Sequence, residues 1–160
     1  MSSGEPKPIA LAAADAPPRV QPSNYPPPFA KSLGGRVKQP LSDLFGLTNF
    51  GVNRTSFAPG ATSGLFHAHS RQDEFVHVLS GELVLRSGDS ETLLSTGMCV
   101  GFAKRGLPHQ LINRSVAEAV ILEVGDCSIG NTVSYPEDDV QAAMSEDGKW
   151  RYTRKDGTAW

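Results

Sequence analysis

The sequence has little cysteine, little histidine and no excess of either charge. Its two cysteines, Cys99 and Cys127, are too few for a disulfide framework, and they lack metal-pair spacing. Lys and Arg number 15 against 17 Asp and Glu, a formal net charge of -2. That balance excludes a dedicated nucleic-acid or polybasic membrane surface, which needs a concentrated positive field. Hydrophobic residues make up 39%, and no apolar run approaches the roughly 20 residues that span a bilayer. The amino end holds only a short apolar patch, Ile9 to Ala14, which does not read as a secretory signal. The expectation is a cytoplasmic protein that binds neither nucleic acid nor membrane. A chain of 160 residues suits one domain with extensions and is long enough for a core without staples.

What is present is unevenly placed. Eight of the 12 prolines fall between Pro6 and Pro28, a composition that excludes helix and sheet interior there. Residues 1–24 are expected to be a flexible arm, with Tyr25 and Phe29 docking where it meets the folded body. Leu41, Leu44 and Phe45 have helical spacing over little more than one turn. Short strand-like runs follow, separated by glycine turns: residues 48–57, 65–69, 74–79, 82–86, 91–94, 98–102, 109–112 and 117–124. Many short strands without βαβ spacing predict an all-β sandwich or barrel. Beyond residue 126, Pro136 followed by three acids resembles a helix start. Residues 127–160 are therefore expected to form a short helical or irregular tail, packed on a body spanning 25–126.

Only four histidines occur, and three lie within eleven residues: His67, His69 and His77, with His109 far along the chain. On a strand, His67 and His69 share a face. Glu74 opens the next strand after a polar turn, and His109 begins another. If these strands face a common interior, His67, His69, Glu74 and His109 converge. Neutral imidazole nitrogen and carboxylate oxygen suit divalent transition metals such as iron, manganese, zinc or nickel. On spacing alone the alternative stays open that the histidines decorate a half-exposed strand. His77 has the opposite parity to Glu74 and is expected to point outward.

The segment HAHSRQDEFVHVLSG resembles the first motif of the cupins, with His67, His69, Glu74 and Gly81 at the matching positions. GMCVGFAKRGLPHQLIN is similar to the second, through Gly97, Gly106, His109 and Asn113. Two departures occur: Gly60 precedes His67 by one residue more than usual, and Lys104 stands where a proline is common. The resemblance covers about residues 60–113 by motif and roughly 45–126 by strand pattern. It implies a double-stranded β-helix, the jelly-roll cupin barrel, with a three-histidine, one-glutamate metal site at His67, His69, Glu74 and His109. It also implies one divalent transition metal and a homodimer.

Within such a barrel, Val76, Val78, Leu111 and Asn113 are the expected lining positions. Lys104, Arg105 and Arg54 are the candidates for attracting a carboxylate or phosphate. Glu123 is read as a surface residue and Cys99 as a small core residue. Some small cupins of this type carry sugar-phosphate-isomerase-like labels, yet the fold hosts isomerases, dioxygenases, decarboxylases and sensors alike, so it does not select a reaction. The expected function is a metal-dependent enzyme acting on a small oxygen-rich or carboxylated molecule, either dioxygenase or isomerase. A non-catalytic ligand-binding or sensor cupin is the alternative.

Overall fold

Glycine turns and alternating side chains dictate most of what the computed structural model contains; it describes residues 7–21, 23–27 and 29–160. Part of the proline-rich arm, residues 1–6 and 22, lies outside those described. The strands are β1 (Arg36–Pro40), β2 (Phe50–Phe57), β3 (Ala68–His69), β4 (Glu74–Ser80), β5 (Glu82–Ser87), β6 (Ser90–Ser95), β7 (Cys99–Phe102), β8 (His109–Ile112), β9 (Ala119–Asp126), β10 (Thr132–Ser134), β11 (Gln141–Met144) and β12 (Trp150–Thr153). One short helix, α1 (Leu41–Phe45), joins β1 to β2. It ends at Gly46, whose left-handed backbone (φ 68°) lets its amide close the last turn on Asp43 O.

The pairing is antiparallel throughout, in sheets ordered β1-β2-β9-β4-β7, β12-β11-β10-β3 and β6-β5-β8. This corrects the expected jelly-roll barrel: among the described residues no sheet closes on itself. Local alternation specifies strands and faces, whereas closure needs ladder bonds between the ends of different sheets. Here only isolated bridges link them, Thr62 to Ile112 and His67 to His109. The expected helical tail is also corrected. Val140 and Ala142 are buried while Gln141 and Ala143 are exposed, a period of two that suits a strand. Accordingly β11 pairs with β10 and β12, and β10 with β3 through Val133 opposite His69.

Two cores result. Phe57, Val76, Val78, Leu83, Leu94, Leu111 and Ile121 form the larger. A fully buried aliphatic or aromatic side chain of this size contributes roughly 1.5–3 kcal/mol. The second gathers Val133, Tyr135, Val140 and Ala142, with Tyr25, Phe29, Trp150 and Tyr152 against them. The chain before β1 is tied down across that strand. Arg19 N–H donates to Lys38 O (2.8 Å), and Gln39 Nε2 donates to Ala14 O (3.0 Å) and Ala16 O (2.6 Å).

Strand register decides which side chains face the interior. In the five-stranded sheet Glu74 lies opposite Gly125 and Phe102, Val76 opposite Glu123 and Val100, and Val78 opposite Ile121. Glu123 is in turn opposite Asn53, and Lys38 opposite Thr55. One continuous face therefore carries Lys38, Asn53, Thr55, Glu123, Val76 and Glu74. The other carries Phe75, His77, Cys99, Leu122 and Arg54. His77 points outward, as its parity requires. Cys99 is exposed there, which corrects its reading as a core residue.

Candidate metal centre

His67 and His109 meet because their main chains pair: His109 N–H donates to His67 O (2.8 Å) and His67 N–H to His109 O (3.2 Å). His69 follows two residues on, and β4 presents Glu74 from the adjoining sheet. The result centres on one carboxylate oxygen. Glu74 Oε2 lies 3.0 Å from His109 Nε2, 3.5 Å from His69 Nε2 and 4.0 Å from His67 Nε2. Within it, His67, His69 and Glu74 form a group whose ligand atoms all lie within 4.8 Å of one another. His109 stands beside this triad as the hydrogen-bond partner of Glu74. Phe102 stacks on His109, ring centroids 3.6 Å apart and planes within 3°, which fixes that ring.

Burial sets the protonation of the cluster. Removal of water pushes His67 down to about 4, against the attraction of Glu74, so its imidazole is neutral at pH 7. His69 is lowered by the same cause. Burial alone would raise Glu74, but the His109 hydrogen bond and the neighbouring His69 and His67 more than offset it and hold the carboxyl at about 2. Neutral imidazoles around an ionised carboxylate are the state in which such groups ligate metal.

The second ring nitrogens complete the test of fit. His67 Nδ1–H donates to Leu65 O (2.7 Å), leaving its Nε2 lone pair free. His109 Nδ1 faces Leu107 O at 3.5 Å. His69 differs. Its Nδ1 lies 2.8 Å from Asn131 Nδ2, while Asn131 Oδ1 accepts from the Arg71 and Gln72 amides at 3.0 and 3.3 Å. In that arrangement the hydrogen of neutral His69 is on Nε2, toward Glu74, and ligation through Nε2 requires Asn131 to turn its oxygen to the ring. The donor types fit a divalent transition ion, and Asn131 is the group that conditions His69.

The cluster opens into a cavity of about 330 Å³. Val76 and Leu111 line it, as do Phe102 and Val133. Val78 and Asn113 do not: both are fully buried (0% exposed). Asn113 is structural, donating to Phe57 O and Ala117 O at 2.8 Å each. Lys104 and Arg105 are exposed on the loop before β8, and Arg54 donates to Gln39 Oε1 (2.6 Å) on the outer face. None of these three basic residues is among the cavity's lining residues.

The cavity instead holds residues that the sequence reading placed elsewhere or passed over. Glu123 faces inward, accepting from Thr55 Oγ1 (3.3 Å) and paired with Lys38; this corrects its assignment to the surface. Arg36 and Arg19 line the same side. Tyr25, Tyr135 and Tyr152 form an aromatic wall, with Tyr25 5.8 Å from Tyr135 and 5.6 Å from Tyr152 between centroids. Burial raises all three phenols, so they remain hydroxyl donors at neutral pH. The one sequence signal for Glu123 was parity: counted from Glu74 through the ladder, it falls on the same face.

Comparison with known proteins now adds to this geometry. Residues 53–125 match the family model for the cupin domain. Over 94% of this chain and 96% of the other, the fold matches a sugar phosphate isomerase of the cupin superfamily from Silicibacter pomeroyi, with a TM-score of 0.86 and 36% identity. The chain belongs to the cupin superfamily. This cupin is also similar to a putative sugar phosphate isomerase from Acidithiobacillus ferrooxidans, at 26% identity and TM-score 0.70 over 78% of this chain and 80% of that one. A polyketide cyclase from Streptomyces resistomycificus shares the fold alone, at 16% identity and TM-score 0.62 over 74% of this chain and 79% of that one. No curated protein matches the sequence. Among the described residues no helix is long and apolar enough to cross a membrane.

Proposed function

We propose that this cupin is a metal-dependent isomerase acting on a small, hydroxyl-rich phosphorylated molecule, with His67, His69, Glu74 and His109 as the ligands of one divalent transition ion. The observation that carries the reading is the convergence of three imidazoles on Glu74 Oε2 at 3.0–4.0 Å, at the edge of a cavity. The similarity to the two isomerase-named structures supports the reaction class over oxygen chemistry.

When bound, a divalent ion polarises a substrate carbonyl or hydroxyl oxygen. The chain's own residues do the rest. Val76, Leu111, Phe102 and Val133 exclude water from the reacting end, which strengthens the remaining electrostatics. Glu123 is the cavity carboxylate outside the ligand set that Lys38 and Thr55 hold in place. It takes a proton from a substrate carbon and returns it to the neighbouring one, as an aldose–ketose interconversion requires. Tyr25, Tyr135 and Tyr152 offer hydroxyls to substrate oxygens.

The test is anaerobic turnover of a sugar monophosphate panel by manganese-loaded protein in deuterated water. The expected result is isomerisation with deuterium entering one carbon, abolished in Glu123→Gln while metal content is unchanged. A requirement for dioxygen, or stable binding of the panel without turnover, sinks the isomerase reading.

A further inference from the structure

Arg36 sits on β1 with a half-buried side chain directed into the cavity. Its guanidinium makes no hydrogen bond or ion pair among the described residues, whereas the other basic groups on this sheet are engaged. Lys38 is paired with Glu123, and Arg54 is bound to Gln39. The carboxylate that acts on Arg36 is Glu123, which Lys38 and Thr55 already occupy. Of the other lining carboxylates on this sheet, Glu74 belongs to the histidine cluster, and Asp126 accepts from Asp73 N and Ser128 N. Arg19, Arg36 and Lys38 line the cavity together with Glu123.

A guanidinium held out of bulk water is costly unless something anionic meets it. Burial acts on Arg36 in that sense, lowering its proton affinity against the opposing pull of Glu123. Its planar fork matches two oxygens of a phosphate at once. We propose that Arg36, flanked by Lys38 and Arg19, is the subsite that binds the phosphate monoester of the substrate, at the end of the cavity away from the histidines.

The inference rests on the isomerase reading and deepens it by assigning the anionic end. Sheet order and register give the placement: β1 and β4 are three ladder steps apart, and Arg36, level with Phe57 and Ala119, lies six residues along the strands from Gly125, the partner of Glu74. A chain of hydroxylated carbons ending in phosphate spans from Arg36 toward Glu74. The basic residues at the loop before β8 take no part, because their side chains lie outside the cavity.

The experiment is calorimetric titration of inorganic phosphate into metal-free and manganese-loaded protein, for the wild type, Arg36→Ala and Arg36→Lys, beside a manganese titration of each. Phosphate is expected to bind the wild type with or without manganese. It should bind Arg36→Ala at least about tenfold more weakly, the scale of a lost charged hydrogen bond. Arg36→Lys, which keeps the charge and loses the fork, should fall between, and it decides the matter if the alanine variant does not fold. Manganese affinity should be equal in all three. Phosphate affinity unchanged in both variants, or no phosphate binding by the wild type, overturns the proposal. Absence of manganese binding by the wild type would instead sink the metal reading, and the metal-free phosphate titration would still report on Arg36.

Discussion

Single residues set the chemical state of the site, and two of them give measurable consequences. His67 is held at about 4 by burial, below its ordinary 6.5. Between those values the unfolded chain binds more protons than the folded one, so this contribution is complete above pH 6.5 and is lost as pH falls to 4. It amounts to about 3 kcal/mol. Glu74, depressed from 4.5 to about 2, acts in the same direction over its lower window. Metal-free protein should therefore lose stability steadily from pH 6.5 to 4 in urea melts, and His67→Gln should flatten that slope. An equally steep slope in the variant would show that His67 is not the titrating group. Asn131, only 1% exposed, orients His69 through its Nδ1, on the side of the ring away from Glu74. Asn131→Ala should weaken manganese affinity by about 10- to 100-fold, as loss of a supporting hydrogen bond does. Asn131→Asp, which accepts from His69 Nδ1–H, should restore it. Equal affinity in the alanine variant would remove the positioning role. Nothing in the sequence marks this asparagine, because its partners lie about 60 positions away and are set by the pairing of β10 with β3.

At the scale of elements, glycine placement made most of the strands legible. The glycine turns delimit β4 to β7 within a residue or so of their expected ends, and β8 begins and ends as expected. Gly81 shows why the residue type is required. Its φ is +76°, and an added Cβ would lie 2.6 Å from Glu118 O and 2.8 Å from Ala119 Cα, both main-chain atoms. Gly81→Ala should cost about 1–3 kcal/mol in a urea melt, the scale of a forced backbone conformation; an unchanged midpoint would contradict the packing described. Alternation failed where the interior is polar. The inward face of β1, β2 and β9 carries Lys38, Asn53, Thr55 and Glu123, so a rule assigning apolar residues inward selects the wrong side. It placed Glu123 at the surface and Arg54 near the cavity. The tail after residue 126 was misread for a related reason: an acidic turn after Pro136 imitates a helix start, whereas the burial of Val140 and Ala142 depends on pairing with β10.

At the scale of the molecule, the family and the histidine–glutamate grouping were readable because both motifs are local in sequence. Closure was not. It depends on long-range ladders, and the sheets here remain separate, joined by isolated bridges at Thr62 and His67. The N-terminal segment and β10 to β12 complete the cavity from outside the motif region: Arg36 and Tyr25 come from one side, Asn131, Tyr135 and Tyr152 from the other. The motif-bearing centre supplies the histidine–glutamate cluster, and the flanking segments supply the other polar groups that line the cavity. The most direct test of the central claim is a manganese titration followed by electron paramagnetic resonance. The account predicts one tight site per chain, lost in His67→Ala and Glu74→Gln, weakened in His109→Ala and unchanged in Arg54→Ala. Binding that survives both His67→Ala and Glu74→Gln would contradict it.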